Sequence, residues 1–368
     1  MSMNNKIISV ILLVVVVILS VFIYRLKFKT GSVQSLVDLD RPLVVGVVSW
    51  PGYVGGIMAN GGFTENSDSI FTKKYGLPVK FVLIEDIDAR GKAFAKGGPD
   101  GVDVVWSTVD FWANELPNFV KGGINGKAFL QVDWSRGGDA IVVNDYIKTV
   151  EDLKGKKIAL VQYTPSHWLL EDVLRQSSLL EADKNNIRNK LIFTQDVPSA
   201  RSAFVAGQVD AVVVWEPDVK QALKKIGSHI LISSKERPDI ISDVMVAKQE
   251  FIDKHPKAIE ALVRGWFDGV EEAKSNPDLA AKLLMDNEPM FADLGLEATK
   301  ESLSWVYWTN LADNISMFGL DGSGARFGEL YDSAAKVWLD LKAIDNITPG
   351  ASAVNTNILR SVYESVKK

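Results

Sequence analysis

From Pro42 onward the chain repeats one unit: an apolar string of strand length, a break, then a helical stretch. "PLVVGVVSW", "PVKFVLIED" and "VDVVWSTVD" are three such strings, with helical segments such as Ala89 to Lys96 between them. Short strings without polar alternation are covered on both faces, and their alternation with helices predicts parallel sheet flanked by helices, an α/β chain. A fourth string, Ala128 to Val143, is interrupted by Arg136-Gly137-Gly138-Asp139. Paired glycines inside a strand mark a bend, or a place where another group approaches the backbone closely. A second βα series follows ("KKIALVQY", "HWLLEDVLRQSSLL", "NKLIFTQD", "ARSAFVAGQ", "VVVWEPDVKQAL"), about 100 residues long, the size of a small domain. After one more strand, "IISDVMVA", the pattern turns almost wholly helical, and Ile259, Leu262, Val263, Trp266, Phe267 and Val270 fall on one helical stripe. No repeat of about 20–50 residues is present.

With 368 residues, 47% of them hydrophobic, the chain can bury a large core and predicts two globular units or one two-lobed one. Its net charge of -5 and lack of a basic stripe exclude nucleic acid as a partner. No cysteine is present, which removes disulfides, thiolate metal sites, cysteine nucleophiles and a sulfur-linked lipid. The three histidines have no second His, Cys or acid at ligand or triad spacing, so neither a metal, a cofactor nor a catalytic group is expected. "IISVILLVVVVILSVFIY", Ile7 to Tyr24, is interrupted only by Ser9 and Ser20, and at about 18 residues it predicts a transmembrane helix. A cleaved signal peptide is the competing reading, but its apolar part usually spans about 7–15 residues and ends in small residues, whereas this run ends "VFIYRLKFK". Arg25, Lys27 and Lys29 outnumber Lys6, so loop charge alone would keep the globular part in the cytoplasm.

Three strands end at an X-Pro step that opens a helix: Trp50-Pro51-Gly52-Tyr53, Thr164-Pro165-Ser166-His167 and Glu216-Pro217-Asp218. Proline suits a first helical turn, where its missing amide would have had no partner. The crevice outside such strand ends is where ligands bind in open α/β sheets. Each residue there has two readings. Glu216 either complements a helix dipole or, beside the Trp215 indole, pairs with a cationic or amino-bearing ligand. Trp50 and Tyr53 either stack on a ligand or pack between lobes. Ser107, Thr108 and Asp110 either orient a small solute or cap a helix. Ser166 and His167 read as first-turn residues, the histidine a cap or a satisfied surface group rather than a catalyst.

"DLKGKKIALVQYTPSHWLLEDVL", "AFVAGQVDAVVVWEPDVKQAL" and "VMVAKQEFIDKHPKAIEALVRGWFDGV" resemble the solute-binding proteins of nitrate/sulfonate/taurine-type ABC importers, a group that also holds thiamine-pyrimidine precursor binders. The likeness runs from Pro42 to about Lys342. It implies a type II periplasmic-binding-protein fold: two α/β lobes joined by two crossing strands, with solute clamped between them. On that basis residues 1–40 are membrane anchor and linker, 41–138 with 240–368 form the first lobe, and 139–239 the second. The family's ligand-facing positions match Trp50, Gly52, Tyr53, Thr108, Asp110, Asp133, Ser135, Arg136 and Asp139 in the first lobe and crossing. They match Thr164, Ser166, His167, Trp215, Glu216 and Asp243 in the remainder. Anion binders of this family use helix amides and basic or hydroxyl groups, whereas here Asp110, Asp133, Asp139, Glu216 and Asp243 gather near the expected cleft with Arg136 as the evident cation. A sulfonate or nitrate would meet repulsion from such a set. The implied function is an extracytoplasmic binder of a small nitrogen-bearing solute (an amine, a guanidinium or urea-like compound, or a zwitterion) with an ABC permease and ATPase as partners. The alternatives are a sulfonate, nitrate or taurine binder, a tethered sensor ectodomain, and a pyrimidine-precursor enzyme on the same fold, whose cysteine-rich motif is missing here.

Overall fold

The structure is a computed structural model and describes residues 37–367. The apolar run at 7–24, which carries the anchor expectation, lies outside the described residues. Among those described, no helix is long and apolar enough to cross a membrane.

The strands are β1 (Leu43–Val47), β2 (Val79–Leu83), β3 (Val104–Thr108), β4 (Gly126–Ser135), β5 (Asp139–Asn144), β6 (Ile158–Val161), β7 (Leu191–Thr194), β8 (Ala211–Trp215), β9 (Ser228–Ser233), β10 (Ser242–Lys248) and β11 (Val306–Trp308). They form two sheets, in the orders β11-β4-β10-β3-β1-β2 and β7-β6-β8-β5-β9. Every residue of β1, β3 and β8 is buried, as expected of strands covered by helices on both faces.

The expectation of parallel sheet holds for part of each. β2, β1 and β3 run parallel, as do β7, β6 and β8. β10 is antiparallel to both β3 and β4, and β5 is antiparallel to both β8 and β9. The reason is connectivity: a parallel neighbour needs a crossover helix on its own sheet, and β5 and β10 instead arrive from the other sheet. The apolar string Ala128 to Val143 accordingly divides into β4 and β5, which belong to different sheets.

The two crossings, after Ser135 and after Ser233, lie side by side. Ser135 Oγ and Ser234 Oγ are 2.7 Å apart, the Ser234 amide donates to the Asp139 carbonyl at 2.8 Å, and the Ser135 amide donates to the Ile241 carbonyl at 3.1 Å. The carboxyl-terminal helices return to the first sheet. Pro256–Ser275 turns Ile259, Leu262, Val263, Trp266 and Val270 inward, with Phe267 half-buried at the margin, and packs on helix Val54–Asn60. Arg326–Asp340 packs on helix Val109–Lys121. Its Trp338 donates from Nε1 to the Asp110 carbonyl at 2.7 Å and meets the rings of Tyr163, His167 and Trp168 in the other half.

Candidate functional site

At the end of β1 the chain stays extended at Trp50, then Pro51 opens the short 3-10 turn Pro51–Tyr53 that leads into helix Val54–Asn60. This turn swings Trp50 and Tyr53 toward the crossings. The Trp50 indole donates to Asp133 Oδ2 at 3.1 Å, and the Tyr53 hydroxyl donates to Asp243 Oδ1. Two glycines make room for this seat. A Cβ on Gly52 would lie 1.8 Å from Asp133 Oδ2, and one on Gly138 would lie 2.4 Å from the Trp50 ring. The glycine pair in the interrupted string is therefore a close-approach site.

Between the sheets these residues wall a pocket. From the first half come Val48, Trp50, Tyr53, Trp106, Thr108, Ile241 and Asp243; from the second come Asp139, Pro165 and Trp215. The Trp106 and Trp215 rings meet edge-on across the gap, 6.1 Å between centroids. The space is tight, with room for about one water. Helix starts led by Pro51 and Pro165 thus face each other across the pocket. Pro217 differs. It occupies the N-cap of helix Asp218–Ala222, after a cis Glu216-Pro217 peptide, so it is not in a first helical turn.

Four carboxyl groups converge here. Asp139 and Asp243 line the pocket, Asp133 is tied to Trp50, and Asp110 follows Thr108 at the start of helix Val109–Lys121. All four are buried. Burial pushes Asp110 up to about 8, with Asp139 adding to the rise. Burial likewise lifts Asp139 to about 7, and raises Asp133 and Asp243 well above the usual carboxylate range, the two aided by the charges of their neighbours. The cause is plain: low-dielectric surroundings disfavour the charged form, and like charges disfavour each other. Among the described residues, no Lys, Arg or His lines this pocket. A cation brought between these groups would relieve both penalties.

The other expected site residues fall around this centre in different ways. Ser135 Oγ receives the Asp139 amide at 3.2 Å and so pins the first crossing. Arg136 turns away from the pocket: its guanidinium pairs with Asp239 at 2.8 Å, donates to the Pro238 carbonyl, and lies over the Trp134 ring. Thr108, rather than Asp110, caps helix Val109–Lys121, accepting from the Phe111 amide at 3.3 Å, while also lining the pocket. Thr164 precedes helix Pro165–Gln176 and donates to the Val161 carbonyl. Ser166 is buried with a free hydroxyl. His167 is a packed group: Nδ1 accepts from the Tyr163 amide, the ring stacks on Tyr163, and burial pushes its pKa down to about 4. Glu216 lies outside the pocket wall, beside Lys220 and Ser302, the latter donating to the Ala298 carbonyl instead. Burial lifts Glu216 to about 8, and neither of its oxygens accepts a hydrogen bond.

Trp106, Val48 and Ile241 line the pocket without having been singled out by the sequence, whereas Pro165 was named as a helix opener. Trp106 carried a signal: it stands two residues before Thr108 in one strand, and such residues share a face. A wider groove of about 620 Å3 also runs between the halves, with Asp86, Asp88, Lys92 and Glu115 on one side and Gln162, Tyr163 and Gln195 on the other. Its lining is mainly apolar, with Ile87, Phe111, Phe119 and Val161 among its residues, and its Glu115 carboxyl is already paired with Arg90, whereas the unpaired buried carboxyls gather at the smaller pocket.

Residues 140–280 match the family model described as NMT1/THI5 like. The chain is 28% identical over 161 residues to the taurine-binding periplasmic protein of Escherichia coli K12, covering 42% of this chain and 47% of that one. It spans about half the length of the curated relatives it matches. Among solved structures, the periplasmic aliphatic sulphonate binding protein SsuA of Escherichia coli superposes with a TM-score of 0.65 at 19% identity, covering 86% of this chain and 93% of that one. The periplasmic nitrate-binding protein NrtA of Synechocystis PCC 6803 does so with a TM-score of 0.59 at 12% identity, over 86% and 91%. These likenesses show the periplasmic-binding-protein fold, and the resemblance read from the sequence is borne out.

Proposed function

We propose that the chain is the extracytoplasmic solute-binding component of an ABC importer, that residues 7–24 tether it to the membrane, and that a permease and an ATPase are its partners. It captures a small nitrogen-bearing solute, an amine, a guanidinium or urea-like compound or a zwitterion, by closing its two halves over it. The observation that carries this reading is the pocket between the sheets, where Trp50, Tyr53, Trp106 and Trp215 surround carboxyl groups and no basic side chain among the described residues joins the lining. Closure would pivot on the paired crossings at Ser135 and Ser234. A solute stabilises the closed form only by as much as it prefers that form. Contacts made across the gap, such as Lys220 with Glu301 at 2.7 Å, would be remade at each cycle.

A second reading has its own support. The taurine- and sulfonate-binding relatives favour an anionic solute, and on likeness alone that reading fits better than the first. The two readings make opposite demands of the pocket: a sulfonate needs donors and positive charge, and the pocket offers carboxylates. Small-angle scattering of the protein with and without each of a set of amines, guanidinium, urea, sulfonates and pyrimidines tests both. The expected result is a smaller radius of gyration with a nitrogen-bearing cation. Compaction by a sulfonate alone would select the second reading, and no compaction by any compound would defeat capture itself.

A further inference from the structure

The hydrogen-bond inventory around the pocket is one-sided. Asp139 Oδ1 in the pocket wall, and Asp110 Oδ1 and Oδ2 and Asp133 Oδ1 beside it, are buried acceptors left without a well-formed hydrogen bond among the described residues, the nearest hydroxyls being Thr108 beside Asp110 and Ser135 beside Asp139. The donors that could have answered them are already engaged: the Trp50 indole with Asp133 Oδ2, and the Tyr53 hydroxyl with Asp243. Against these acceptors stand the free Trp106 Nε1 and the free Ser166 hydroxyl. Buried polar atoms left unpaired are costly. A ligand recovers the larger part of that cost if it brings several N–H groups, and it relieves the mutual repulsion of the carboxylates if it brings positive charge. Once the carboxyls are ionised, the three oxygens of a sulfonate would share two donors and face their negative charge. With the halves as they stand the space admits about one water, the size of an ammonium group, so a larger head such as guanidinium enters only as the halves part.

We propose that the pocket selects a compact cation rich in N–H donors, of the primary ammonium or the amidinium and guanidinium class, and turns away sulfonates, neutral ureas and fully alkylated ammonium ions alike. This rests on the capture reading above and narrows it, removing the zwitterion and the urea-like compound. The last exclusion separates it from a plain aromatic cage. Indole and phenol faces alone would accept a quaternary ammonium ion, whereas the unpaired oxygens of Asp110, Asp133 and Asp139 are answered only by N–H.

Titration calorimetry of the full-length protein with methylammonium, guanidinium and tetramethylammonium chlorides, urea, taurine and ethanesulfonate tests it. Methylammonium or guanidinium is expected to bind at least tenfold more tightly than the other four. Equal binding of tetramethylammonium would overturn the N–H requirement, and tighter binding of taurine, ethanesulfonate or urea would overturn the class while leaving capture intact. Silence from all six overturns the class. Capture falls with it only if the radius of gyration is also unmoved by the wider set. Asp139→Asn is expected to weaken the bound cation at least tenfold without lowering the melting temperature of the empty protein, since an isosteric amide replaces a repelled carboxylate. Undiminished affinity in this variant would refute the proposal, and Asp110→Asn serves the same comparison should Asp139→Asn fail to fold.

Discussion

Arg90 and the pocket share Trp106, and they differ in where the positive charge comes from. The Arg90 guanidinium is fully buried, 4.7 Å from the Trp106 ring centroid and 4.9 Å from that of Phe111, with Glu115 Oε1 at 2.5 Å and the Trp106 carbonyl as a further acceptor. Aromatic faces, one carboxylate and one carbonyl satisfy a cation that the chain itself supplies. In the pocket the aromatic faces and carboxylates recur, with Asp110, Asp133, Asp139 and Asp243 in place of Glu115, and the chain supplies no cation among its described residues. The first arrangement is closed and serves stability. The second carries an uncompensated burden that an incoming cation would relieve, which is what a binding site requires and a core avoids.

The largest expected effect breaks the comparison on the Arg90 side. Arg90→Met strands Glu115, whose carboxyl is already raised by burial despite the arginine, and is expected to cost about 3–5 kcal/mol in urea unfolding. Adding Glu115→Gln should recover part of that loss. A cost near zero would mean that Arg90 is not a satisfied internal cation, and the parallel with the pocket would lose its basis.

The second test sharpens the pocket side through pH. Asp139 and Asp110, lifted to about 7 and about 8, hold protons in the empty folded state that the unfolded chain has already lost. Their folded values lie above their unfolded ones, so the empty protein loses stability as pH rises from about 4, the ordinary carboxylate value, to about 8, and Glu216 and Asp218, lifted by burial to about 8 and about 7, add to the loss. Lowering of His167 to about 4 acts in the other direction, costing stability as pH falls below its ordinary value of 6.5, so it opposes the carboxyls in the lower part of that window and leaves the upper part to them. A cation requires the ionised form. Its affinity is therefore expected to rise several-fold over the same window in calorimetry, with protons released on binding. An affinity that falls with pH would instead match an anionic solute held by the protonated groups.

The smallest expected effect concerns the aromatic wall. Trp215→Leu keeps the apolar surface and removes the ring face, and should weaken methylammonium by about 0.5–2 kcal/mol, read as a shift in Kd at constant pH. No change would leave the carboxyls as the sole attraction and separate the pocket from the Arg90 cluster.

Much of the architecture could be read in advance because apolar strings and proline-led breaks are local signals. β1, β2, β3, β6 and β7 lie within the strings that mark them, β8 and β10 overrun theirs by one residue, and the Gly137-Gly138 interruption does coincide with a close approach, by Trp50. Strand direction in β5 and β10 was not legible, because it depends on which sheet the chain has come from. Nor was the course of Arg136: spacing puts it at the crossing, but Asp239, the Pro238 carbonyl and the Trp134 ring, all from outside the pocket, decide where its guanidinium rests. Glu216 shows the same limit. A strand end predicts that a carboxylate is near the cleft, and the packing of Lys220 and Ser302 determines which side of the backbone it occupies.

The position of β10 bears on how the protein is assembled. β3 and β4 are not neighbours; β10 fills the slot between them, and it is made only after every strand of the second sheet has been synthesised. The first sheet therefore waits, incomplete and with exposed strand edges, while the later-made sheet already has all its strands. A released fragment ending just before Ser242 should hold a finished second half and an unfinished first.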